Sequence, residues 1–206
     1  MKTMMEKILI ATNNQGKMRE IREVLGEVAG VEVVGLEEAR IRADEPEENG
    51  VTFEENGRIK ARYYGDLSGM MTLADDSGIE VEVLGGFPGV RSARWMNGTQ
   101  EEKNLELVRR AEERSGGERP RAAFVAVMVL YDPKTGEEEV FMGRVEGYLI
   151  GEERGEEGFG YDPIFVPEGH ERTMAELGVK VKNEISHRRR ALEGVANSLR
   201  EFEVAL

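Results

Sequence analysis

Residues 7–36 read KILIATNNQGKMREIREVLGEVAGVEVVGL, and this stretch indicates the class of fold. The apolar run at residues 7–12 is typical of a buried strand, and residues 31–36 show the same pattern. Between them, residues 16–28 repeat apolar side chains at helical spacing on one face: Met18, Ile21, Val24, Leu25 and Val28. A strand, a helix and a second strand at such short spacing predict an α/β fold, with helices flanking a β-sheet.

Three more helices are predicted after residue 50. Thr52 can cap a helix that runs to about Tyr64, because a threonine oxygen accepts hydrogen bonds from the first backbone N–H groups of a helix. Thr99 starts another helix that runs to about Arg114. Residues 186–206 are predicted to form the terminal helix of the chain.

Strand patterns continue in the middle of the chain. Residues 70–74 and 79–86 are strand candidates, and the Ser-Gly dipeptide between them predicts a turn. Residues 121–150 form the clearest hairpin, with two strands around a turn at residues 132–136. We therefore expect a mixed sheet, with parallel crossovers early in the chain and an antiparallel hairpin late.

Composition excludes several classes of protein. The 206 residues include 28 Lys and Arg against 41 Asp and Glu, a net charge of −13, which argues against a nucleic-acid or anionic-membrane surface. The chain has no cysteine, so it has no disulfide, thiolate zinc site or thiol nucleophile. No apolar run approaches the roughly 20 residues of a membrane helix, and no signal peptide is recognised. We expect a cytoplasmic protein with one domain over residues 1–206.

Residues 11–17, ATNNQGK, place small polar side chains between a buried strand and the start of a helix. Backbone N–H groups at a helix start point outward and have partial positive charge, so a phosphate there gains these donors and the Lys17 ammonium. The spacing differs from that of the Walker phosphate loop. The alternative is that the asparagines only cap an ordinary helix.

The start of the terminal helix is unusually basic. Residues 180–190, KVKNEISHRRR, contain five basic residues and one acid in a chain of charge −13. Cations at a helix N-terminus oppose the helix dipole, at a cost of about 0.3–1 kcal/mol each. An anion that uses the helix start and these side chains together relieves the conflict. A solvated basic turn is the alternative.

Asp75 and Asp76 are adjacent carboxylates at the predicted end of a strand, and they need a positive partner. Mg²⁺ binds one or two protein carboxylates and completes its shell with water and substrate phosphate oxygens. The acidic loop at residues 37–50 offers further carboxylates, among them Glu47 and Glu48. Together with the two anion-binding segments, this favours a magnesium-bound triphosphate. A capped turn and a solvated acidic loop are the alternatives.

Residues 158–163, GFGYDP, place two aromatic side chains beside an acid in a glycine-rich segment. Aromatic rings next to hydrogen-bonding groups suit stacking on a nucleotide base and recognition of its edge. An aromatic turn without a ligand is the alternative. His170 and His187 are the only histidines, which argues against a histidine-based metal site.

Five segments between about residues 8 and 195 match motifs of a known family: ATNNQGKMREI, PEENGVTFEEN, ADDSGIEVEVLGGFPGVRSARW, GFGYDPIFVPEG and KNEISHRRRAL. They resemble the inosine/xanthosine triphosphate pyrophosphatase family. The resemblance implies Mg²⁺-dependent hydrolysis of non-canonical purine nucleoside triphosphates to the monophosphate and pyrophosphate. It also implies a homodimer and an elongated two-lobed α/β fold, with a mixed central sheet flanked by helices and the active site in the cleft between the lobes.

The resemblance further implies roles for residues at the matching positions. Asp76 would act as general base and would hold Mg²⁺ together with Glu47 or Glu48. Substrate contacts would come from these residues: Thr12, Asn13, Asn14, Gln15, Gly16, Lys17, Ser77, Phe159, Gly160, Tyr161, Asp162, Lys182, His187 and Arg188.

Three positions depart from the family pattern. Glu157 stands where the family commonly has glycine, and Arg91 and Trp95 each stand where it usually has tyrosine. Glu157 adds a carboxylate near the predicted substrate loop, which can alter the shape of the loop or the choice of substrate. None of the three removes a proposed catalytic group.

The expected substrates are the triphosphates of inosine, deoxyinosine and xanthosine. Two alternatives stay open from the sequence. One is a house-cleaning pyrophosphatase that acts on other modified nucleotides, including pyrimidines. The other is a nucleotide-binding module without turnover.

Overall fold

The computed structural model describes residues 6–204, which form six strands and five α-helices. Their order and bounds are β1 (Glu6–Ile10), α1 (Gln15–Leu25), β2 (Val31–Gly35), α2 (Phe53–Ser68), β3 (Met71–Val81), α3 (Gln100–Ser115), β4 (Arg121–Tyr131), β5 (Glu138–Leu149), β6 (Phe165–Pro167), α4 (Met174–Ile185) and α5 (His187–Val204). The predicted elements are therefore present, with shifts of a few residues at their ends and two exceptions described below. The last two residues of the predicted terminal helix lie outside the described residues.

The strands form one six-stranded sheet in the order β2-β1-β3-β4-β5-β6. β1 pairs in parallel with both β2 and β3, so Ile8 lies opposite Val33 on one side and Met71 on the other. β6 pairs antiparallel with β5. These pairings confirm the predicted mixed sheet. β4 and β5 are neighbours joined by residues 132–137, which confirms the predicted hairpin.

The chain divides into two compact units. The first unit contains the described residues up to Asp76, residues 126–143 and the residues from Arg188 onward. The second unit contains Ser77–Val125 and Arg144–His187.

Helices pack against both faces of the sheet in the first unit. Ile8 and Ile10 of β1 share a buried cluster with residues of α1 and α5, whereas Leu9 shares another with Ala61 and Tyr64 of α2. Because successive residues of a strand face opposite sides of a sheet, α1 and α5 cover one face and α2 covers the other. The apolar face predicted for the first helix is buried: Met18, Ile21, Val24, Leu25 and Val28.

The second unit has its own apolar core. Ile79, Leu107 and Phe124 belong to it, and so do Tyr161 and Ile164 from the segment around GFGYDP. Burying these two side chains removes apolar surface from water and so anchors the segment against β4 and α3. The glycine-rich loop is therefore attached to the core at one end.

The structure corrects the turn that the Ser-Gly dipeptide predicted. β3 runs through the dipeptide without interruption, and the region predicted as a separate strand is its second half followed by a 3₁₀ turn. Gly78 is needed for close packing and not for turning, since a Cβ atom there would overlap Ser92 Oγ and lie 2.7 Å from the carbonyl oxygen of Gly89. Asp75 and Asp76 consequently lie inside a strand and not at its end.

The helix caps follow the sequence closely, with one missing helix. Thr52 and Thr99 cap α2 and α3 as predicted. α4 is absent from the sequence prediction, although Thr173 and Glu176 cap it by the same reciprocal hydrogen bonds. Gly178 interrupts α4 with a φ of 81°, and this break conceals the helical periodicity of the segment. None of the described helices is long and apolar enough to span a membrane.

Candidate active site

The first charged cluster surrounds Asp75 in the first unit. The buried carboxylate accepts hydrogen bonds from Lys17 Nζ at 2.6 Å and from Arg188 Nε at 2.7 Å. Arg188 also donates from Nη1 to Glu20 Oε2 at 2.6 Å. The fold thus brings Lys17 from α1 and Arg188 from α5 to a single residue of β3.

Protein cations determine the protonation state of Asp75. Burial by itself raises the pKa of a carboxyl group, but Arg188 and Lys17 outweigh it and hold the pKa of Asp75 well below its usual range. Burial lowers the pKa of Lys17, against the opposing pull of Asp75. Asp75 is therefore a permanent anion that holds two cations in place.

Asp76 has a separate set of partners, because it faces the side of the sheet that α2 covers. Its carboxylate accepts hydrogen bonds from Lys60 Nζ at 3.0 Å and from Asn56 Nδ2 at 3.2 Å. The Lys60 ammonium also lies 2.9 Å from Glu48 Oε1. One ammonium therefore bridges two carboxylates.

The pKa of Asp76 shifts in the direction opposite to that of Asp75. Burial raises the pKa of Asp76, and the nearby Lys60 offsets only part of this effect. Burial lowers the pKa of Lys60, but Asp76 and Glu48 outweigh it, so that pKa is raised. Of the two adjacent aspartates, Asp76 is the one suited to accept a proton.

The predicted phosphate-binding segment forms the start of α1. Asn14 is the helix cap, since its side chain accepts a hydrogen bond from Lys17 N at 3.1 Å, and its own N–H donates to Thr12 Oγ1 at 3.1 Å. Asn13 donates to Glu45 Oε1 at 2.6 Å. The remaining members of the segment are exposed or half-buried: Gln15 and Gly16. Capping thus explains Asn14, while the helix start stays accessible beside Lys17.

Asp76 and its neighbouring glutamates are carboxylates, which are the protein ligands that Mg²⁺ prefers. Glu48 is half-buried and contacts the same ammonium as Asp76, whereas Glu47 is exposed. Mg²⁺ commonly takes one or two carboxylates from a protein and the rest of its shell from water and phosphate. Across residues 6–204, no group of three or more His, Cys, Asp or Glu side chains is arranged to hold a metal by itself. Substrate oxygens would have to complete the shell.

The second charged cluster lies in the second unit. Lys182 Nζ donates to Asp162 Oδ2 at 2.6 Å, and both side chains are almost fully buried. The same oxygen accepts the backbone N–H of Phe159 at 2.8 Å. The ammonium lies 4.1 Å from the centre of the Phe159 ring, in a cation–π contact. With 37% of Phe159 exposed, this cluster presents an aromatic surface above a fixed positive charge.

Tyr161 supports the loop from inside the protein. Its hydroxyl donates to the carbonyl oxygen of Ser92 at 2.6 Å and accepts from Trp95 Nε1 at 2.8 Å. Burial raises the pKa of Tyr161 to about 12, against a smaller opposing effect of the Trp95 hydrogen bond. Trp95 therefore packs behind the loop, whereas Arg91, another departure from the family pattern, is exposed.

The remaining predicted substrate residues lie inside β3, at the start of α5 and in the glycine-rich loop. Ser77 is half-buried in β3, and Gly160 has a φ of 65° in the loop. His187 is buried and stacks on Phe124 with 4.9 Å between the ring centres. Arg188 pairs with the buried Asp75 and the half-buried Glu20, so the chain itself supplies part of the negative charge that the basic helix start requires.

Lys60 and Asn56 contact Asp76 but are absent from the site residues predicted from the sequence. They lie four residues apart, which places them on one face of α2, and this face contacts Asp76. Asn56 is fully buried. An asparagine and a lysine at that spacing, on the face shared with buried Ala61, are the signal that could have identified them.

The predicted residues therefore fall into two groups. The first unit brings together Lys17, Asp76, Arg188 and Glu48, with the helix start at Thr12–Gly16. The second unit brings together Phe159, Asp162 and Lys182.

Known proteins resemble this chain over nearly its whole length. A model of the Ham1 family matches residues 8–198. A dITP/XTP pyrophosphatase of Symbiobacterium thermophilum is 49% identical over 187 residues, which cover 91% of each chain. One of Aquifex aeolicus is 43% identical over 210 residues, covering 97% of this chain and 99% of the relative. A solved HAM1 protein from Coxiella burnetii has a TM-score of 0.87 and 36% identity, covering 96% of this chain and 100% of that one.

Proposed function

This chain belongs to the Ham1 family, and we propose that it hydrolyses the non-canonical purine nucleoside triphosphates ITP, dITP and XTP to the monophosphate and pyrophosphate. The relatives at 49% and 43% identity are named dITP/XTP pyrophosphatases, which supports the proposal. The structural observation that supports it most is the buried carboxylate of Asp76, with a raised pKa and a lysine ammonium at 3.0 Å. A buried acid of this kind is typical of a general base.

The phosphates would bind at the first cluster. Lys17 and Lys60 are the cations with some accessible surface, at 16% and 12% of their side chains. An ammonium has three donors, and Lys17 directs two of them to Asp75, so one can donate to a phosphate oxygen. Lys60 already contacts Asp76, Glu48 and the carbonyl oxygen of Asp75, so it would act on the phosphates through its charge. The backbone N–H groups at the start of α1 add donors beside Lys17. Arg188 is buried and would not contact the phosphates; it would hold Asp75 in place, and Asp75 in turn positions Lys17.

Asp76 would accept the proton of the attacking water. The water oxygen forms a bond to the α-phosphorus, and the bond from that phosphorus to the oxygen bridging to the β-phosphate breaks. Pyrophosphate leaves with the electron pair of the broken bond, while the water proton passes to Asp76. The ammonium groups of Lys17 and Lys60 would offset the charge that develops on pyrophosphate.

Glu48 and Asp76 are the residues that would hold Mg²⁺ in this proposal. When bound, the ion supplies positive charge at the phosphate oxygens. Lys60 keeps the two carboxylates close before substrate arrives, because its charge offsets their mutual repulsion. We expect pyrophosphate release to stop in EDTA and to return when excess Mg²⁺ is added. Full turnover in EDTA would contradict the metal requirement.

The base would be recognised by the second cluster. Stacking on the exposed Phe159 ring accepts any base, so discrimination needs hydrogen bonds at the base edge. A 6-oxo purine presents a hydrogen-bond acceptor where adenine presents an amino donor. The buried ammonium of Lys182 is a donor, so it would match the 6-oxygen and not the amino group. A site that leaves buried groups unpaired can reject the wrong base by up to about 10⁴-fold.

A panel of triphosphates tests the proposal directly. Pyrophosphate release is measured for ITP, dITP, XTP, ATP, GTP and modified pyrimidine nucleotides, each with and without Mg²⁺. We expect kcat/KM for the first three to exceed that for ATP by at least about a hundredfold. Faster turnover of another modified nucleotide would favour the broader house-cleaning activity. Binding without any turnover would favour a nucleotide-binding module.

A homodimer in the cytoplasm completes the proposal, and its support is the family resemblance. The chain has a mass of 23.1 kDa, so light scattering should give about twice this value for the purified protein. A monomeric mass across the concentrations used for the activity assay would contradict the dimer.

A further inference from the structure

Glu157 occupies a definite place in the second unit. α4 is interrupted at Gly178, whose φ of 81° and ψ of 164° are not helical, and the helix resumes at Val179. The first N–H groups of a helical segment have no partner within it. Glu157 Oε2 accepts the N–H of Val179 at 2.8 Å. The carboxylate thus caps the second half of α4, where the helix dipole favours negative charge.

The same half of α4 contains the cation of the second cluster. Lys182 lies three residues after Val179, and it binds Asp162 and contacts the ring of Phe159. The loop that contains Glu157, Phe159 and Asp162 is therefore joined to this half of α4 at two places about one helical turn apart. Fixing both places defines the orientation of the loop as well as its position.

The backbone shows how closely the loop approaches α4. A Cβ atom on Gly155 would lie 2.5 Å from the backbone nitrogen of Glu176, and one on Gly178 would lie 3.2 Å from Glu157 Oε2. Gly155 therefore needs glycine for its close approach to the backbone of α4, and both positions have a positive φ that favours glycine. The interruption of α4 is the point at which the Glu157 carboxylate is seated.

We infer that Glu157 is a positioning residue for nucleotide recognition. It does not contact the substrate in this account, but it orients the loop so that the Phe159 ring and the Lys182 ammonium face a base together. Glycine is common at this position in the family that the sequence resembles, so this contact is a departure from the family pattern. The nature of the ligand rests on the proposed function, whereas the contact between loop and helix does not.

Three variants separate the hydrogen bond from other effects. Glu157→Met keeps the length of the side chain and removes both oxygens. Glu157→Gln keeps one acceptor for the Val179 N–H and removes the charge. Glu156→Met is the matched control, because Glu156 is the exposed neighbour and its loss changes the net charge equally. Thermal melting establishes that each variant folds.

Hydrogen exchange in the ligand-free protein tests the contact itself. We expect the Val179 amide to exchange about tenfold faster in Glu157→Met, because a hydrogen bond to a charged acceptor contributes this much to local closure. Glu157→Gln should restore most of the protection, and Glu156→Met should match the unaltered protein. Unchanged exchange in Glu157→Met would overturn the inference, whatever the enzyme does.

Kinetics test the consequence for recognition. We expect Glu157→Met to raise KM for ITP about three- to tenfold with kcat nearly unchanged. The reason is that the loop then has to be ordered when the substrate binds, and this ordering reduces the free energy of binding. Inhibition by tripolyphosphate, which has no base, should stay the same. The positioning role would be overturned if kcat fell equally in Glu157→Met and Glu156→Met. It would also be overturned if Glu157→Met left KM unchanged although its Val179 amide exchanged faster. Absence of turnover in the unaltered protein would refute the proposed function and leave the exchange result standing.

Discussion

The two charged clusters use similar residue types under different physical conditions. In the first unit, Asp75 and Asp76 lie inside a central strand, and their cations come from three different helices. In the second unit, one ion pair lies beneath an exposed ring on a glycine-rich loop. The first arrangement is held by side chains from several elements of the fold. The second depends on contacts between one loop and α4.

The sharpest contrast lies between two neighbouring residues. Asp75 has a pKa well below its usual range because Arg188 and Lys17 outweigh its burial, whereas burial dominates at Asp76 and raises its pKa. The alternating faces of a strand place the two side chains among different partners. One aspartate therefore holds two cations inside the fold, and the other is the one that we propose for proton transfer.

The largest predicted effect is on turnover when Asp76 is changed. We expect Asp76→Asn to lower kcat about 10²–10⁴-fold, because an amide cannot accept the proton of the attacking water. Asp66→Asn, an exposed carboxylate of α2, is the matched control and should keep full activity. Pyrophosphate release under saturating substrate is the measurement. Full turnover in Asp76→Asn would remove the contrast between the two aspartates.

The next effect is on stability when Asp75 is changed. Asp75→Asn leaves Lys17 and Arg188 without their shared anion, and breaking a buried pair in this way costs about 3–5 kcal/mol. Urea unfolding at neutral pH measures the loss. Asp76→Asn should cause no comparable destabilisation, since a raised pKa means that ionised Asp76 opposes folding. Equal destabilisation by both variants would contradict the opposite pKa shifts.

The pH dependence of stability should separate the same two residues. The folded-state pKa of Asp75 is depressed, so its contribution is present above the unfolded value of about 3.9 and is lost as pH falls through the folded value. The pKa of Asp76 is raised, so ionised Asp76 lowers the free energy of unfolding. The free energy of unfolding of Asp76→Asn, relative to that of the unaltered protein, should therefore be highest near pH 7 and should decrease as the pH falls. Melting temperatures measured between pH 3 and 8 test the sign of both effects, because this range includes the unfolded pKa of about 3.9.

A smaller effect is expected in the second cluster. Phe159→Leu removes the exposed ring above the Lys182 ammonium, and loss of one base stack should raise KM for ITP about tenfold with little change in kcat. Tyr63→Leu, which removes an equally exposed aromatic side chain from α2, is the control. If Phe159→Leu lowers kcat as strongly as Asp76→Asn, the assignment of separate tasks to the two clusters is wrong.

The smallest effect should follow from Trp95→Phe. This change removes the N–H that donates to Tyr161, while Tyr161 keeps its hydrogen bond to the carbonyl oxygen of Ser92. Loss of one partly buried hydrogen bond should lower the free energy of unfolding by about 1 kcal/mol. Thermal unfolding is the measurement. A loss as large as that of Asp75→Asn would show that this hydrogen bond contributes as much to stability as the ion pairs of the first cluster.

Local chemistry made much of the fold predictable. Thr52 and Thr99 are each followed three residues later by a glutamate, and both start helices as predicted. The strand patterns of residues 7–12 and 31–36 also form paired strands. α4 was not predicted although Thr173 has the same capping pattern, because Gly178 breaks its periodicity. The turn predicted at the Ser-Gly dipeptide was wrong, because Gly78 serves a contact with a distant segment.

The sequence by itself determined the α/β class, the caps of α2 and α3, and the list of charged and aromatic residues that could act on a nucleotide. These follow from spacing and side-chain chemistry within a few residues. Only the tertiary structure decided which acid meets which base: Asp75 with Arg188, Asp76 with Lys60, Glu48 with Lys60, and Glu157 with the restart of α4. The physical reason is that a pKa depends on burial and on charges brought from distant parts of the chain, and neither is encoded in the neighbouring residues.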